Sequence, residues 1–483
     1  MNAEPLIFEL SGATKKSFAL PPLDVPEKKD ALKDLPVREV IPGFPQVSEI
    51  EVVRHFTRLS QANFCIDTSF YPLGSCTMKY NPKINEKVAA MAPFSGVHPL
   101  TPPGLVQGNL EILKTLEEFL AEITGMDAVT LQPNAGAHGE LVGMMLIRAC
   151  LEGRGDPRKF VLIPDSAHGT NPSSAHICGY TVREVKSNDR GTIDLESLDR
   201  EMTADVAALM VTNPNTLGVF EWDIRKIGEI VHARGGLLYM DGANMNALVG
   251  KFRPGDMGVD VIHLNLHKTF STPHGGGGPG CGPVAVKKHL EPYLPVPVVE
   301  RGPSGYRLDF ERPRTIGRVR SFFGNFLVMV RALAYIRTLG SAGLKEAAEI
   351  AVLNSNYIRK SLEGVYHLKY ASPTLHECVF SDKLQKEHGI LNIDIAKRLI
   401  DFGLHPPTMS FPLIVPGALM IEPTETESHR DLDQFIETMK AIAREAVESP
   451  DVLKSAPHFS PVKRLDETTA ARNPVLRWEE PKE

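Results

Sequence analysis

Two hydrophobic periods alternate along this chain, and that alternation limits its fold more than any other feature. Strand-like runs rich in β-branched and apolar residues stand at 128–132, 159–164, 181–185, 207–212, 237–240, 261–266 and 282–286. Helical patterns lie between several of them, at 138–151, 194–202 and 223–234. An amphipathic helix at 105–123 precedes them; Leu110, Leu113, Leu116, Leu120 and Ile123 recur at three or four positions, and Gly125 stops it. Strands alternating with helices predict an α/β fold with a mainly parallel sheet and helices on both faces. The pattern turns helical again from 324 to 362, and shorter elements follow to about 447. The expected division is an N-terminal arm and loop segment (1–85), a large domain (86–330), a smaller C-terminal α/β domain (331–450) and a tail (451–483).

The flanking stretches read differently. The first fifty residues are rich in Pro and Lys and form an extended arm that carries Phe8, Phe18 and Leu20. A helical pattern at 51–70 leads into an irregular loop at 71–82, and a Pro/Gly stretch follows at 93–104. Both stretches are too long and too apolar for solvated turns, so both are expected to cover something. A net charge of -6 without long runs offers no basic face for nucleic acid. The first ten residues carry Glu4 and Glu9 and do not read as a signal peptide. The most apolar stretch, 322–336, is broken by Asn325 and Arg331 and reads as an internal helix, so no membrane partner is expected and the location reads as cytoplasmic. The six cysteines form no CxxC and have no zinc-ligand spacing with histidine, so no metal site is expected and the thiols read as reduced. Cys76, in a loop, is the one to watch for redox sensitivity.

Chemistry gathers at predicted strand ends, where open α/β sheets collect their ligands. Lys268 follows the 261–266 strand and precedes a glycine-rich run at 275–280; an amine so placed can form a Schiff base, although alone it also reads as a surface lysine. Asp241 ends the 237–240 run and needs a partner, which could be a protonated ring nitrogen, a helix cap or a metal. Ala135, Gly136 and Ala137 stand at the start of a helix, where bare amides and the helix dipole suit a phosphate or simply make a tight turn. Asn134 beside them is a weaker candidate. His168, in the loop after 159–164, could stack on a flat ring or be an ordinary loop histidine. The amides of 212–218 could reach a ring substituent. His98 could approach a substrate or merely sit in a turn.

An anion cup, a stacking histidine, a strand-end acid and a strand-end lysine, in that order, match what pyridoxal phosphate requires. The chain resembles the fold-type I pyridoxal-phosphate transferases, the aspartate-aminotransferase-like fold, and most closely the P-protein family of the glycine cleavage system, glycine dehydrogenase (decarboxylating). The resemblance lies in segments 70–82, 135–140, 164–169, 241–244, 264–280 and 423–427 and covers nearly the whole chain. It implies an oxidoreductase that binds glycine on pyridoxal 5'-phosphate, releases carbon dioxide and passes the aminomethyl group to the lipoyl arm of H-protein. It implies that Lys268 holds the cofactor, Asp241 keeps the ring nitrogen protonated, His168 stacks on the ring, Ala135, Gly136 and Ala137 hold the phosphate, and Ala243 lies against the ring. It further implies that the chain corresponds to the C-terminal, cofactor-binding half of a longer single-chain form. It would then pair with a homologous first subunit, as an α2β2 heterotetramer. Two alternatives stay open: another fold-type I enzyme, either an amino-acid decarboxylase or an aminotransferase whose carboxylate clamp Arg312, Arg314, Arg318 and Arg320 could supply, and a silent subunit that only binds H-protein.

Overall fold

The computed structural model describes residues 3–12, 15, 21–28, 30, 33–38, 41, 43–275 and 280–479. Phe18, Leu20 and residues 276–279 of the glycine-rich run lie outside them. The chain divides into two units, residues 69–454 and residues 1–68 together with 455–483.

In the first of these units a seven-stranded sheet has the order β1-β7-β6-β5-β4-β2-β3. Its strands are β1 (Ala128–Thr130), β2 (Phe160–Pro164), β3 (Thr181–Val185), β4 (Val206–Thr212), β5 (Leu237–Gly242), β6 (Val261–Leu264) and β7 (Val284–Val286). The pairs β2/β3, β2/β4, β4/β5 and β5/β6 are parallel, while β7 runs antiparallel to both β6 and β1. All seven expected strands are present, and the sheet is mainly parallel as expected. Side chains alternate between its faces, as the two-residue strand period requires. Leu162, Leu209, Leu238 and Ile262 enter one core with Leu116 and Leu120 of the helix Gln107–Thr124 and Ile227 of the helix Ile224–Ala233. Val161, Ala208, Tyr239 and Val261 enter the other with Val142 and Ile147 of the helix Gly136–Gly153.

Beyond a two-stranded hairpin of β8 (Val298–Gly302) and β9 (Gly305–Asp309), a three-stranded antiparallel sheet forms from β10 (Cys378–Ser381), β11 (Thr408–Met409) and β12 (Ala418–Ile421). Phe380, Leu419 and Ile421 pack there against Ile395 and Leu399 of the helix Asn392–Asp401 and Phe435, Met439 and Ile442 of the helix His429–Glu448. The helix Phe326–Leu362 is long and apolar enough to cross a membrane by length and composition alone. Here it contributes Met329, Ala332, Leu333 and Ile336 to the core of the large sheet and Ile358 and Leu362 to that of the small one. Gly340, at φ 62°, breaks its helical course.

Some expectations are corrected. The hairpin β8/β9 was not anticipated, because its polar, partly exposed strands lack a clean alternation. The loop expected after 159–164, around His168, is shorter than its sequence suggests: a helix begins at Thr170 and runs to Ile177. Its buried positions include Asn171 and Ser174, so its inner face is partly polar and leaves little apolar signature. The helix expected across 51–70 is Glu49–Gln61. The 93–104 stretch stays at the surface, with Leu100 65% exposed, whereas the 71–82 loop does cover a cavity.

In the other unit, Glu4 pairs with Arg58 at 2.6 Å and contacts His55 at 3.1 Å, tying the start of the chain to the helix Glu49–Gln61. Phe8 stacks on Trp478 with ring centres 5.0 Å apart.

Candidate active site

β1 points the same way as β6, since each runs antiparallel to β7. The carboxyl ends of β1, β2, β4, β5 and β6 therefore open on one edge of the sheet, and a cavity of about 470 Å³ lies there. Lys268, Asp241, His168, Ala135, Gly136, Ala137 and Ala243 all line it. They stand at or after the ends of four strands, β1, β2, β5 and β6, and only the common direction of those strands brings them together.

Asp241 is 3% exposed. Its Oδ1 accepts the Ala243 N–H at 2.9 Å and lies 3.5 Å from His263 Nε2, and Tyr239 Oη contacts His263 Nδ1 at 2.6 Å. Burial opposes ionisation of Asp241, but His263, the Ala243 amide, His168 and Lys268 outweigh it, and the carboxyl stays below its ordinary range. Glu140, on the first turn of the helix Gly136–Gly153, behaves oppositely: burial, and then the charge of Asp241, push it up to about 8. Its oxygens accept the hydroxyls of Thr170 at 2.7 Å and Ser174 at 3.3 Å. With its amide turned to donate, Asn171 bridges Glu140 Oε2 and Asp241 Oδ2 at 3.1 Å each. The two acids thus divide the work of one buried charge: Asp241 carries it and Glu140 stays neutral at pH 7.

His168 Nδ1 lies 2.8 Å from Thr170 Oγ1, which fixes the ring plane, and burial lowers its basicity. His267, beside the lysine, is kept neutral: burial and then Lys268 hold it down to about 3. The Lys268 amine forms no hydrogen bond or ion pair among the described residues and faces the cavity with Asp241 and His168.

The helix Gly136–Gly153 begins without a side-chain cap, so its first amides are unclaimed. A Cβ at Gly136 would lie 2.6 Å from Asn265 Oδ1, so only glycine leaves this cradle open. Asn265 Oδ1 and Thr212 Oγ1, both on the cavity wall, are buried without partners. A bare helix start for an anion, an ionised acid for a cationic ring nitrogen, a flat imidazole and a free amine fit pyridoxal phosphate in size and in charge.

Other candidates fall away. Asn134 is exposed, its N–H donates to His138 Nδ1 at 3.1 Å, and it does not line the cavity. His98 is an exposed turn histidine that accepts the Leu100 N–H at 3.1 Å. None of Arg312, Arg314, Arg318 and Arg320 lines the cavity; Arg312 pairs with Glu300 and Asp309, and Arg320 with Asn134 and Asn325. A larger groove of about 860 Å³ beside Phe119, Phe252 and Leu344 is mainly apolar, and Arg253 within it is already paired with Glu122 and Asp256.

Sequence reasoning missed residues on the opposite wall. His376 and Glu377, just before and at the edge of β10, line the cavity with Ser75 and Cys76. Glu377 Oε2 accepts the Ser75 N–H at 2.8 Å, and Glu422, just after β12, accepts from Thr77 and Asn244. Two acids directly flanking apolar runs, at 377 and 422, were the available signal.

A family model described as glycine dehydrogenase, C-terminal domain, matches residues 347–458, and one for class-V aminotransferases matches 142–296. The chain is 57% identical over 476 residues, 98% of each chain, to the probable glycine dehydrogenase (decarboxylating) subunit 2 of Caldanaerobacter subterraneus subsp. tengcongensis. It is 56% identical over 479 residues, 99% of each chain, to the protein of the same name from Bacillus licheniformis. Among solved structures it shares its fold with a glycine decarboxylase (P-protein) of the glycine cleavage system in inhibitor-bound form, at a TM-score of 0.69 and 21% identity over 87% of this chain and 92% of that one. An aspartate aminotransferase of subgroup IV from Thermus thermophilus follows the same fold, at a TM-score of 0.58 and 13% identity over 78% and 99% of the two chains. The fold is thus that of the fold-type I pyridoxal-phosphate enzymes.

Proposed function

The chain belongs to the family of glycine dehydrogenase (decarboxylating) subunit 2, and from that premise we propose which of its residues carry the reaction and what it works with. It is a pyridoxal-phosphate-dependent oxidoreductase that decarboxylates glycine in the glycine cleavage system. When bound, the cofactor supplies a protonated ring that accepts the electron pair left behind as glycine loses its carboxylate. Lys268 would hold the cofactor covalently through its free amine. Asp241, kept ionised by His263 and the Ala243 amide, holds the proton on the ring nitrogen. His168, its plane fixed by Thr170, would stack on the ring, and Ala243 would lie against it. The amides at Ala135, Gly136 and Ala137 hold the phosphate. The observation that supports these assignments is the meeting of Lys268, Asp241, His168 and an uncapped helix start around one cavity.

Relatives named subunit 2 imply a partner subunit. We assign that role to a homologous first subunit in an α2β2 heterotetramer, with lipoylated H-protein as the acceptor of the aminomethyl group, in the cytoplasm. The arginines that an aminotransferase would need as a carboxylate clamp lie outside the cavity, so that alternative has no support here. The test is exchange of labelled bicarbonate into glycine by this chain with its first subunit, pyridoxal phosphate and lipoylated H-protein. Borohydride reduction followed by peptide mapping should place the cofactor on Lys268. Absence of exchange, or a label elsewhere, refutes the assignment.

A further inference from the structure

We propose that Glu377 is the proton donor for the sulfur that leaves when the lipoyl disulfide is opened; this rests on the reading of the cavity given above. The reaction demands such a donor. The bond between glycine's α-carbon and its carboxylate breaks, and its electron pair forms a carbon–sulfur bond with one lipoyl sulfur. The disulfide electrons go to the other sulfur, which is reduced and must take one proton. Glycine is oxidised by giving up that electron pair to the disulfide, and its own ammonium returns the proton to the donor, so no outside oxidant or acid is needed.

The wall opposite the cofactor residues supplies one acid suited to this. Glu377 and Glu422 are 2% and 0% exposed, and their carboxylate oxygens lie within 4.8 Å of each other and of a His376 ring nitrogen. Glu422 accepts the Thr77 hydroxyl at 2.6 Å, the Thr77 N–H at 3.1 Å and the Asn244 amide at 2.9 and 3.0 Å. Among the described residues Glu377 receives only the Ser75 N–H, at its Oε2; its Oε1 stands 3.8 Å from His376 Nε2, beyond hydrogen-bond reach. Two carboxyls so close in a dry site cannot both ionise, and the one with fewer donors keeps the proton. Burial and then Glu422 accordingly hold Glu377 well above the ordinary carboxylate range.

The charged and titratable groups facing Glu377 are Glu422, His376, Lys268, Cys76 and Cys378. His376 is kept neutral by burial, and both its ring nitrogens are buried without partners. His168, His267 and His274 are also held down by burial and carry no spare proton. Burial raises the Cys76 thiol, and a thiol gains nothing by protonating another thiolate, whereas a carboxylic acid does. Glu140 is already engaged by Thr170 and Ser174.

The loop that meets these acids is strained for the purpose. Ser75 and Thr77, neither of them glycine, sit at φ 61° and 44°, and the two glutamates accept the amides that this conformation exposes. Glu377→Gln keeps an acceptor for Ser75 and removes only the proton.

The test uses the assembled enzyme with first subunit, cofactor and lipoylated H-protein. In Glu377→Gln, bicarbonate exchange should fall about 100-fold or more. The glycine concentration that half-saturates the cofactor's spectral change should stay within about twofold, and Glu377→Asp should recover part of the exchange. Infrared spectra of the chain without cofactor should show, at pH 8, a neutral carboxylic-acid band that Glu377→Gln lacks; this decides the matter even if that variant assembles poorly. Exchange within about threefold of wild type in Glu377→Gln, or no such band, overturns the proposal. If the wild-type complex itself shows no exchange, the reading of the cavity has failed instead.

Discussion

Asp241 and Lys268 illustrate how single side chains set the character of the cavity. Asp241 can stay charged in a dry place because His263, the Ala243 amide and Asn171 surround it, while its neighbour Glu140 stays neutral. Asp241→Asn keeps this shape and removes the charge. Cofactor affinity should drop and exchange should slow by about 100-fold or more, as when one preorganised electrostatic partner is lost; unchanged kinetics would refute the role. Lys268→Ala should fold normally, bind cofactor only non-covalently and show no exchange. A different acid governs stability. Burial holds Glu221 up to about 7, although it accepts the Ile193 N–H at 3.0 Å and the Asn215 amide at 3.0 Å. Below about pH 4.5 both the folded and unfolded chains hold this proton, and above about pH 7 neither does. Between those limits only the folded chain does, so this group costs stability as pH rises, on the order of 3 kcal/mol across the window. Denaturant unfolding of Glu221→Gln at pH 4.5 and pH 8 should show a pH dependence smaller by that amount.

At the level of elements, the site depends on how closely backbones approach. The helix start at Gly136 meets Asn265, which follows β6, and a Cβ there would lie 2.6 Å from its side-chain oxygen. Gly136→Ala should push the helix start and the lysine loop apart. Equilibrium dialysis should show cofactor binding weakened about tenfold or more, with about 1–3 kcal/mol lost in unfolding. The 71–82 loop is tied down differently. Lys79 and Glu425, 2% and 8% exposed at their side chains, form a buried pair at 2.7 Å, and Asn246 and Tyr335 complete the lysine's shell. Removing one partner leaves a bare buried charge, so Lys79→Met should cost about 3–5 kcal/mol in denaturant unfolding. The loop carries Ser75 and Cys76 to the cavity wall, so glycine binding should weaken as well.

For the whole molecule, the pairing of subunits is the open quantity that function depends on. Relatives carry the name of a second subunit, and the expected assembly has this chain beside a first subunit of similar size. Light scattering of this chain alone and with that subunit, alongside exchange assays, should give low activity alone and full activity in a stoichiometric complex. A stable homodimer with full activity and no response to the first subunit would overturn the α2β2 assignment.

Local patterning determined much of this protein by itself. The alternation of strand and helix periods suffices for the mainly parallel sheet, because each run had to hide one face or both against its neighbours. Lys268, Asp241, His168 and the 135–137 turn were legible because each ends a strand or begins a helix, and strand direction alone sends all of them to one edge. Tertiary structure decided what has no local period. The helix Thr170–Ile177 hides polar residues and left little apolar trace. Glu377 and Glu422 lie more than a hundred residues from Lys268, and their protonation depends on their distance from each other. A sequence can place an acid beside an apolar run, but the dry, crowded surroundings that fix whether it keeps its proton exist only once the chain has folded.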